Sequence, residues 1–327
     1  MMQQSIGNST IGWSSTVLYQ NRILLGIGLL GTFLHSLLWF QLFFHRIPLD
    51  LSLIFPACYV STDIFILLSY LVQYVIRSTA TTPTWRASCY FEAYFAFYFN
   101  ILESFYLTLL HICRYLQIVR NKNIYMDHRY LVLFMCIIVP ALILMNMIIQ
   151  HEMAWSIVIE KPGSSCSLVY TSLSIRVWNV IVFFCLPIIL SFMTSIRSLF
   201  YVKQTCSQQM MIRRNHHRRL IYRFLIFFTI WFILWAPSVL LTFLDIHTVG
   251  NQIRFIFTAA NGLEASIDGV LVIMLDTRFQ MVWQKSHDAI LQRLGWQKTN
   301  KVKPVIQAMS IMHDRTCSAK NNMHVTH

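Results

Sequence analysis

The stretch 89-CYFEAYFAFYFNILESFYLTLLHICR-114 decides the fold. Its only acids are Glu92 and Glu103, and most of the rest is apolar. As a helix rising about 1.5 Å per residue it covers about 37 Å, enough to cross about 30 Å of hydrocarbon. Cys89 then stands at one membrane face and Arg114 at the other.

The composition outside that stretch agrees. Of 327 residues, 56% are hydrophobic and only 12% are charged, and mean hydropathy is +0.54. A soluble chain of this length is rarely so poor in charge. Runs of spanning length lie near residues 23–44, 49–76, 89–119, 130–150, 177–201, 219–244 and 253–275. The expected fold is an all-α membrane protein, a seven-helix bundle with its termini on opposite sides. The first run has no cleavage signature before it and reads as an uncleaved signal-anchor. There is no internal repeat and no Gly/Ser linker. The expected division is an outer N-terminal tail over 1–21, the seven-helix domain over 22–275, an amphipathic cytoplasmic helix over 276–295 and a cytoplasmic tail over 296–327.

Loop charge sets the expected orientation. Of 26 Lys and Arg residues, nineteen follow spans one, three, five and seven, and six lie on the opposite side: Arg22, Arg77, Arg86, Lys161, Arg176 and Arg254. The positive-inside rule then places the N-terminus outside, with the plasma membrane the expected location. The net charge of +13 is mainly this asymmetry. It fits anionic inner-leaflet lipid as a partner and gives no ground for nucleic-acid binding. Cys58, Cys113, Cys136 and Cys185 fall within spans, and Cys206 and Cys317 face the reducing side. Cys89 and Cys166 alone reach the oxidising side and form the expected disulfide pair, two unpaired thiols being the alternative. Asn8-Ser9-Thr10 is a glycosylation sequon on that same side.

Further motifs are Cys113-Arg114-Tyr115 closing span three, Pro187 in span five, and Phe232-Ile233-Leu234-Trp235-Ala236-Pro237 in span six. With the seven spans, the outer N-terminus and the two cysteines, they make residues 22–295 resemble a rhodopsin-like (class A) G protein-coupled receptor. The resemblance implies a heterotrimeric G protein as partner and assigns coupling and activation to Arg114, Tyr115, Pro187, Trp235, Pro237 and Asp268. It also has departures. Cys113 stands where the family usually has an acid, so Arg114 has to find another partner or stand freer. Asp268-Gly269-Val270-Leu271-Val272 replaces Asn-Pro-x-x-Tyr, and Ser195 takes the place of the span-five tyrosine. Span four lacks the usual tryptophan, and either Thr32 or His35 stands for the span-one asparagine. After span seven, Phe279, Val282, Trp283, Ile290, Leu291 and Leu294 recur at helical spacing, as in a membrane-surface helix.

Four carboxylates fall near mid-span: Asp63, Glu103, Glu264 and Asp268. A charge there costs about 2.5–3.5 kcal/mol on insertion scales, so such acids usually face the bundle interior and carry function. Glu264 and Asp268, four apart, share a helical face. Glu103 lies about 16 Å up the helix from Arg114. By resemblance, Asp63 is the span-two aspartate that takes part in a sodium site, and sodium is the only cofactor implied. Oxygen ligands suit a hard cation. Crowded buried carboxylates also share protons, and a proton-sharing network is the equal alternative.

The outer half of span three and its neighbours set expectations for ligand. The family's amine receptors carry an aspartate at the position of Ala96, and its retinal pigments a lysine at that of Gly262, so neither class is expected. Ala96, Phe97, Trp235 and Gly262 are the candidate pocket residues for an unidentified peptide or small molecule. Glu92, Glu160, Asp245 and Arg254 could meet a charged peptide, solvated helix ends being the simpler account. The run Arg213-Arg214-Asn215-His216-His217-Arg218-Arg219 fits a G protein contact or lipid headgroups equally. The rival class is a cation or proton transporter using the buried acids, although no repeat relates two halves. Neither His-Glu-x-x-His nor Gly-x-Ser-x-Gly occurs, and no enzymatic role is expected.

Overall fold

The computed structural model describes residues 15–44, 51–79, 82–120, 124–159, 166–204, 211–244, 251–275, 287–288 and 291. Asn8, Glu160, Asp245 and nearly all of the expected amphipathic helix over 276–295 lie outside them. The chain divides into two compact units, Met1–Thr277 and Arg278–His327, and in the second only the helical positions 287, 288 and 291 are described.

Among the described residues, seven helices are long and apolar enough to cross a membrane: Ser15–Phe40, Leu51–Ser78, Ser88–Val119, Arg129–Glu152, Leu173–Val202, Ile221–Leu244 and Gln252–Val272. The protein is a multi-pass, all-α membrane bundle. The helices carrying these spans are α1 (Ser15–Phe44), α2 (Ile54–Thr79), α3 (Thr82–Val119), α5 (Arg129–Glu152), α6 with α7 (Leu173–Asn179 and Leu186–Gln204), α8 (Met211–Leu244) and α9 (Asn251–Leu275). The short α4 (Ile124–Asp127) precedes α5. A π-helical segment, Val180–Cys185, joins α6 to α7 without breaking the span. Pro140 and Pro237 sit inside α5 and α8.

The side chains sort as hydrocarbon surroundings require. Leu29, Leu30, Phe33 and Phe40 of α1, and Ile137, Leu142 and Leu144 of α5, face outward, while Asp63, Asn100, Glu103, Asn261, Glu264 and Asp268 are buried. Apolar groups meet lipid at no cost, whereas polar groups need partners inside. Many hydroxyls turn back onto their own helix: Thr62 donates to the Tyr59 carbonyl at 2.6 Å, Ser69 to Ile66 at 2.6 Å and Ser104 to Ile101 at 2.7 Å. α3 runs through the interior, packed against α2 on one side and α7 on the other, while α1 lies across α2 and α9. The α1 crossing depends on Gly31, where a Cβ would fall 2.7 Å from Leu67 Cδ1. Small residues permit such close helix approach.

Between spans four and five the chain forms an antiparallel hairpin, β1 (Ser156–Ile159) with β2 (Ser167–Tyr170). The sequence reading did not contain it, because two four-residue strands leave too short an alternation to register. Ala154, at φ 54°, turns the chain out of α5 into β1. A Cys89–Cys166 disulfide fastens the start of β2 to the top of α3 across 77 residues of sequence. Removing it by Cys166→Ser is expected to lower stability by about 2–5 kcal/mol, nearer the lower figure since the spans already restrict the unfolded chain. Thermal unfolding in detergent with and without reductant checks this; reductant should lower the midpoint of the native protein and leave that of the variant unchanged.

Candidate functional site

Asp63 lies one helical turn after Tyr59 on α2, and Asp268 one turn after Glu264 on α9, so each pair projects from one face. Glu103 meets them from α3 and Trp231 from α8. Oxygen atoms of Asp63, Glu103 and Asp268 lie within 4.8 Å of one another, and all three residues are fully buried. Tyr59 Oη donates a short hydrogen bond to Asp268 and lies 3.5 Å from Glu103 Oε1. Trp231 Nε1 donates to the same Glu103 oxygen. Glu264, buried beside Asp63, is hydrogen-bonded to Glu103 and joins the cluster through it, although it is not one of the three whose oxygens converge. The four acids expected to act together are thus three that converge and one joined to them through Glu103.

The donor set fits a hard cation. Among the described residues, both Asp63 oxygens and Asp268 Oδ1 have no hydrogen-bond partner despite full burial, while the Glu103 carboxyl meets that of Glu264. Ligands about 2.4 Å from a central ion can stand up to about 4.8 Å apart, so one ion could reach all three residues. Three carboxylates so close cannot all be charged without compensation. One sodium ion balances a single charge, so sodium binding implies that protons are retained on the others. Asp63, Glu103 and Asp268 would hold the ion, and the Tyr59 hydroxyl is the adjacent neutral ligand.

The cluster continues into an aromatic stack. The Trp231 ring lies 4.4 Å from that of Trp235, which stacks on Phe184 at 5.6 Å with an interplanar angle of 4°. Trp235, singled out by its motif with Pro237, is therefore one ring removed from the Glu103 carboxylate. Tyr59 and Trp231 were missed in the sequence. Tyr59 and Asp63, and Trp231 and Trp235, are each four apart on one helical face, but that spacing does not say which way the face points.

His35 is fully buried and bonds through Nε2 to the Ala265 carbonyl at 2.8 Å. Its ring fills the space where a Cβ at Gly269 would lie, 3.0 Å away. This contact gives a physical reason for glycine, not proline, after Asp268.

The expected pocket residues meet different neighbours. Phe97 packs edge-on against Phe243, 5.3 Å away, and Phe243 stacks on Tyr170 of the hairpin at 6.3 Å. Burial pushes the Tyr170 phenol above its ordinary pKa. The Ala96 carbonyl accepts from Asn100 at 2.7 Å. Gly262 lies against α1 and α2, where a Cβ would strike the Tyr70 ring at 2.9 Å and Ile27 at 3.2 Å. Glu92 is also corrected. It is neither a solvated helix end nor presented to a ligand, but is paired with Arg77 in a bridge whose side chains are 6% and 10% exposed.

At the other end of α3, Arg114 donates to Gln117 Oε1 at 3.4 Å and its guanidinium lies 5.6 Å from the Phe224 ring centre, a cation–π contact. Cys113 is buried and Tyr115 half-buried. Ser195 bonds to His111 Nδ1 at 3.0 Å, and Phe224 and Phe228 flank the His111 ring. The Pro187 carbonyl accepts from Thr108, 3.1 Å away, which also meets Ser191 at 3.0 Å. Compared with known proteins, the chain matches no protein-family model and no curated protein.

Proposed function

We propose that the protein is a rhodopsin-like receptor that converts binding of an extracellular ligand, neither amine nor retinal, into activation of a heterotrimeric G protein. The observation that carries this reading is the geometry of α3. A disulfide ties one end to the hairpin after span four, and Arg114 stands at the other end against α8 through Phe224. In this reading the Cys89 end is extracellular, Asn8 is glycosylated, the protein resides in the plasma membrane, and outward motion of α8 uncovers Arg114 for the G protein. Cation or proton occupancy of the acid cluster biases the resting state, because Glu103 and Asp268 are held by α8 and α2 through Trp231 and Tyr59.

The test is nucleotide exchange on purified G proteins of several classes, with the protein in lipid nanodiscs and a panel of peptides and small molecules. Exchange above the lipid background, reduced at least tenfold by Arg114→Ala, is the expected result. Absence of exchange with every G protein and ligand would remove the reading. The three clustered carboxylates favour a second reading, a cation or proton conductor. Ligand-free sodium or proton flux into sealed vesicles, abolished by Asp63→Asn, would establish that instead.

A further inference from the structure

A cavity of about 410 Å³ opens between α3, α5 and the π-helical segment of span five, and none of the clustered acids lines it. That volume lies at the lower end of ligand pockets, about 300–1,000 Å³. Its mouth is set among outward-facing residues, Leu142, Met145 and Ile149 of α5 and Trp178 of α6. All lie within spans, so an occupant arrives from hydrocarbon, not from water.

The cavity is almost wholly apolar, and its amide side chains, Asn146 and Gln150, lie toward one end. Val139 and Phe105 line one end, and Asn146, Gln150 and Trp155 the other. From Val139 to Gln150 the α5 axis runs about 16 Å. The polar end is built: Gln150 is buried, donates to Asn146 Oδ1 at 2.5 Å, and exchanges hydrogen bonds of 2.8 and 3.1 Å with Asn179. These contacts fix the Asn146 amide with its nitrogen lacking a hydrogen bond among the described residues. Trp155 and Trp178 also line the cavity. No lining residue carries a charge, which leaves nothing to neutralise a carboxylate or phosphate head.

A second observation falls at the same place. The π-helical segment Val180–Cys185 supplies Val182 and Phe183 to the wall, and Phe183 packs edge-on to Phe105 at 6.3 Å. Such π-turns are uncommon and recur at functional sites.

We propose that this cavity binds a neutral, sterol-sized lipid with a single hydroxyl or carbonyl head, the head toward Asn146 and Gln150 and the apolar body toward Val139. The site does not depend on the receptor reading and would serve a conductor equally.

The experiment uses the full chain in phosphatidylcholine nanodiscs with a diazirine-bearing cholesterol, the labelled positions being mapped by mass spectrometry. Labelling at 139–155 and 175–183 should saturate, be displaced by unlabelled cholesterol, and exceed labelling of Leu29 and Phe33 on α1 at least fivefold. Leu142→Trp, which fills the mouth from an outward-facing position, should cut labelling there at least fivefold and leave α1 labelling unchanged. Val139→Trp serves the same purpose should the first variant fail to fold, and the displacement experiment needs no variant. Labelling that is even over the lipid-facing surface, fails to saturate or ignores the filled mouth overturns the proposal. Stronger capture of a diazirine-bearing oleate overturns it too, since the head would then be anionic.

Discussion

Sodium chloride is expected to raise the thermal unfolding midpoint of the protein saturably, while choline chloride at equal ionic strength does not. Asp63→Asn and Asp268→Asn should each flatten that response. A ligand that binds only the folded state adds about 2.7 kcal/mol at one hundred times its dissociation constant, easily seen by thermal unfolding. The physical basis is that oxygens of Asp63 and Asp268 have no hydrogen-bond partner among the described residues and lie, with one of Glu103, within reach of a single ion. Protons and cation compete for these atoms. Raising pH removes protons from the cluster and strengthens sodium binding, so the sodium-induced shift should grow with pH and fade in acid. Glu103→Gln keeps an acceptor for the Trp231 indole while removing a charge, and should weaken sodium binding with little loss of stability. Glu103→Leu leaves the indole N–H unsatisfied and should cost a further 1–3 kcal/mol or about that. A midpoint that ignores sodium at every pH but follows pH itself, with the pH response lost in Asp63→Asn, identifies a proton network without a cation. Indifference to both would dismiss any role for the cluster in ion or proton occupancy.

The parts of this molecule legible in the sequence are those governed by periods longer than a turn. Seven apolar runs define seven spans because hydrocarbon demands about twenty residues of helix at each crossing. The membrane interior also makes its acids conspicuous, which is why Asp63, Glu103, Glu264 and Asp268 stood out without any structure. Their partners did not, because Tyr59 and Trp231 are unremarkable aromatics in chains already rich in them. Only rotation of α2 and α8 about their own axes shows that these two face the carboxylates, and rotation is set by packing against neighbours. The same limit applies to Gly262, whose place along α9 was readable but whose direction, toward Tyr70 and Ile27, was not. Arg77 failed for a different reason. The apolar run of span two stops at residue 76, so Arg77 counted as a loop charge, yet α2 continues to Thr79 and carries the guanidinium into the bundle.

That buried guanidinium carries the second large effect. Arg77 joins three helices at the Cys89 end: Nη1 donates to Asn21 Oδ1 on α1, and Nη2 to Glu92 Oε1 on α3. Glu92 also accepts from the backbone of Cys166, so the ion pair braces the disulfide and the hairpin. Both side chains are about nine-tenths buried. Removing one partner from such a pair leaves a charge stranded without compensation, at a cost of about 3–5 kcal/mol. Arg77→Met is therefore expected to lower the unfolding midpoint far more than Arg22→Met, whose side chain is exposed on α1. Replacing the pair together, Arg77→Met with Glu92→Leu, removes both charges and should recover much of the loss, because the stranded carboxylate is gone. The double-mutant cycle then yields a coupling well above the 1 kcal/mol ceiling or thereabouts of exposed pairs. It should also persist at high salt, since screening acts weakly on charges out of water. Single variants within 1 kcal/mol or so of the native protein, adding without coupling, would mean that the pair is merely accommodated and that the disulfide alone holds this end of the bundle.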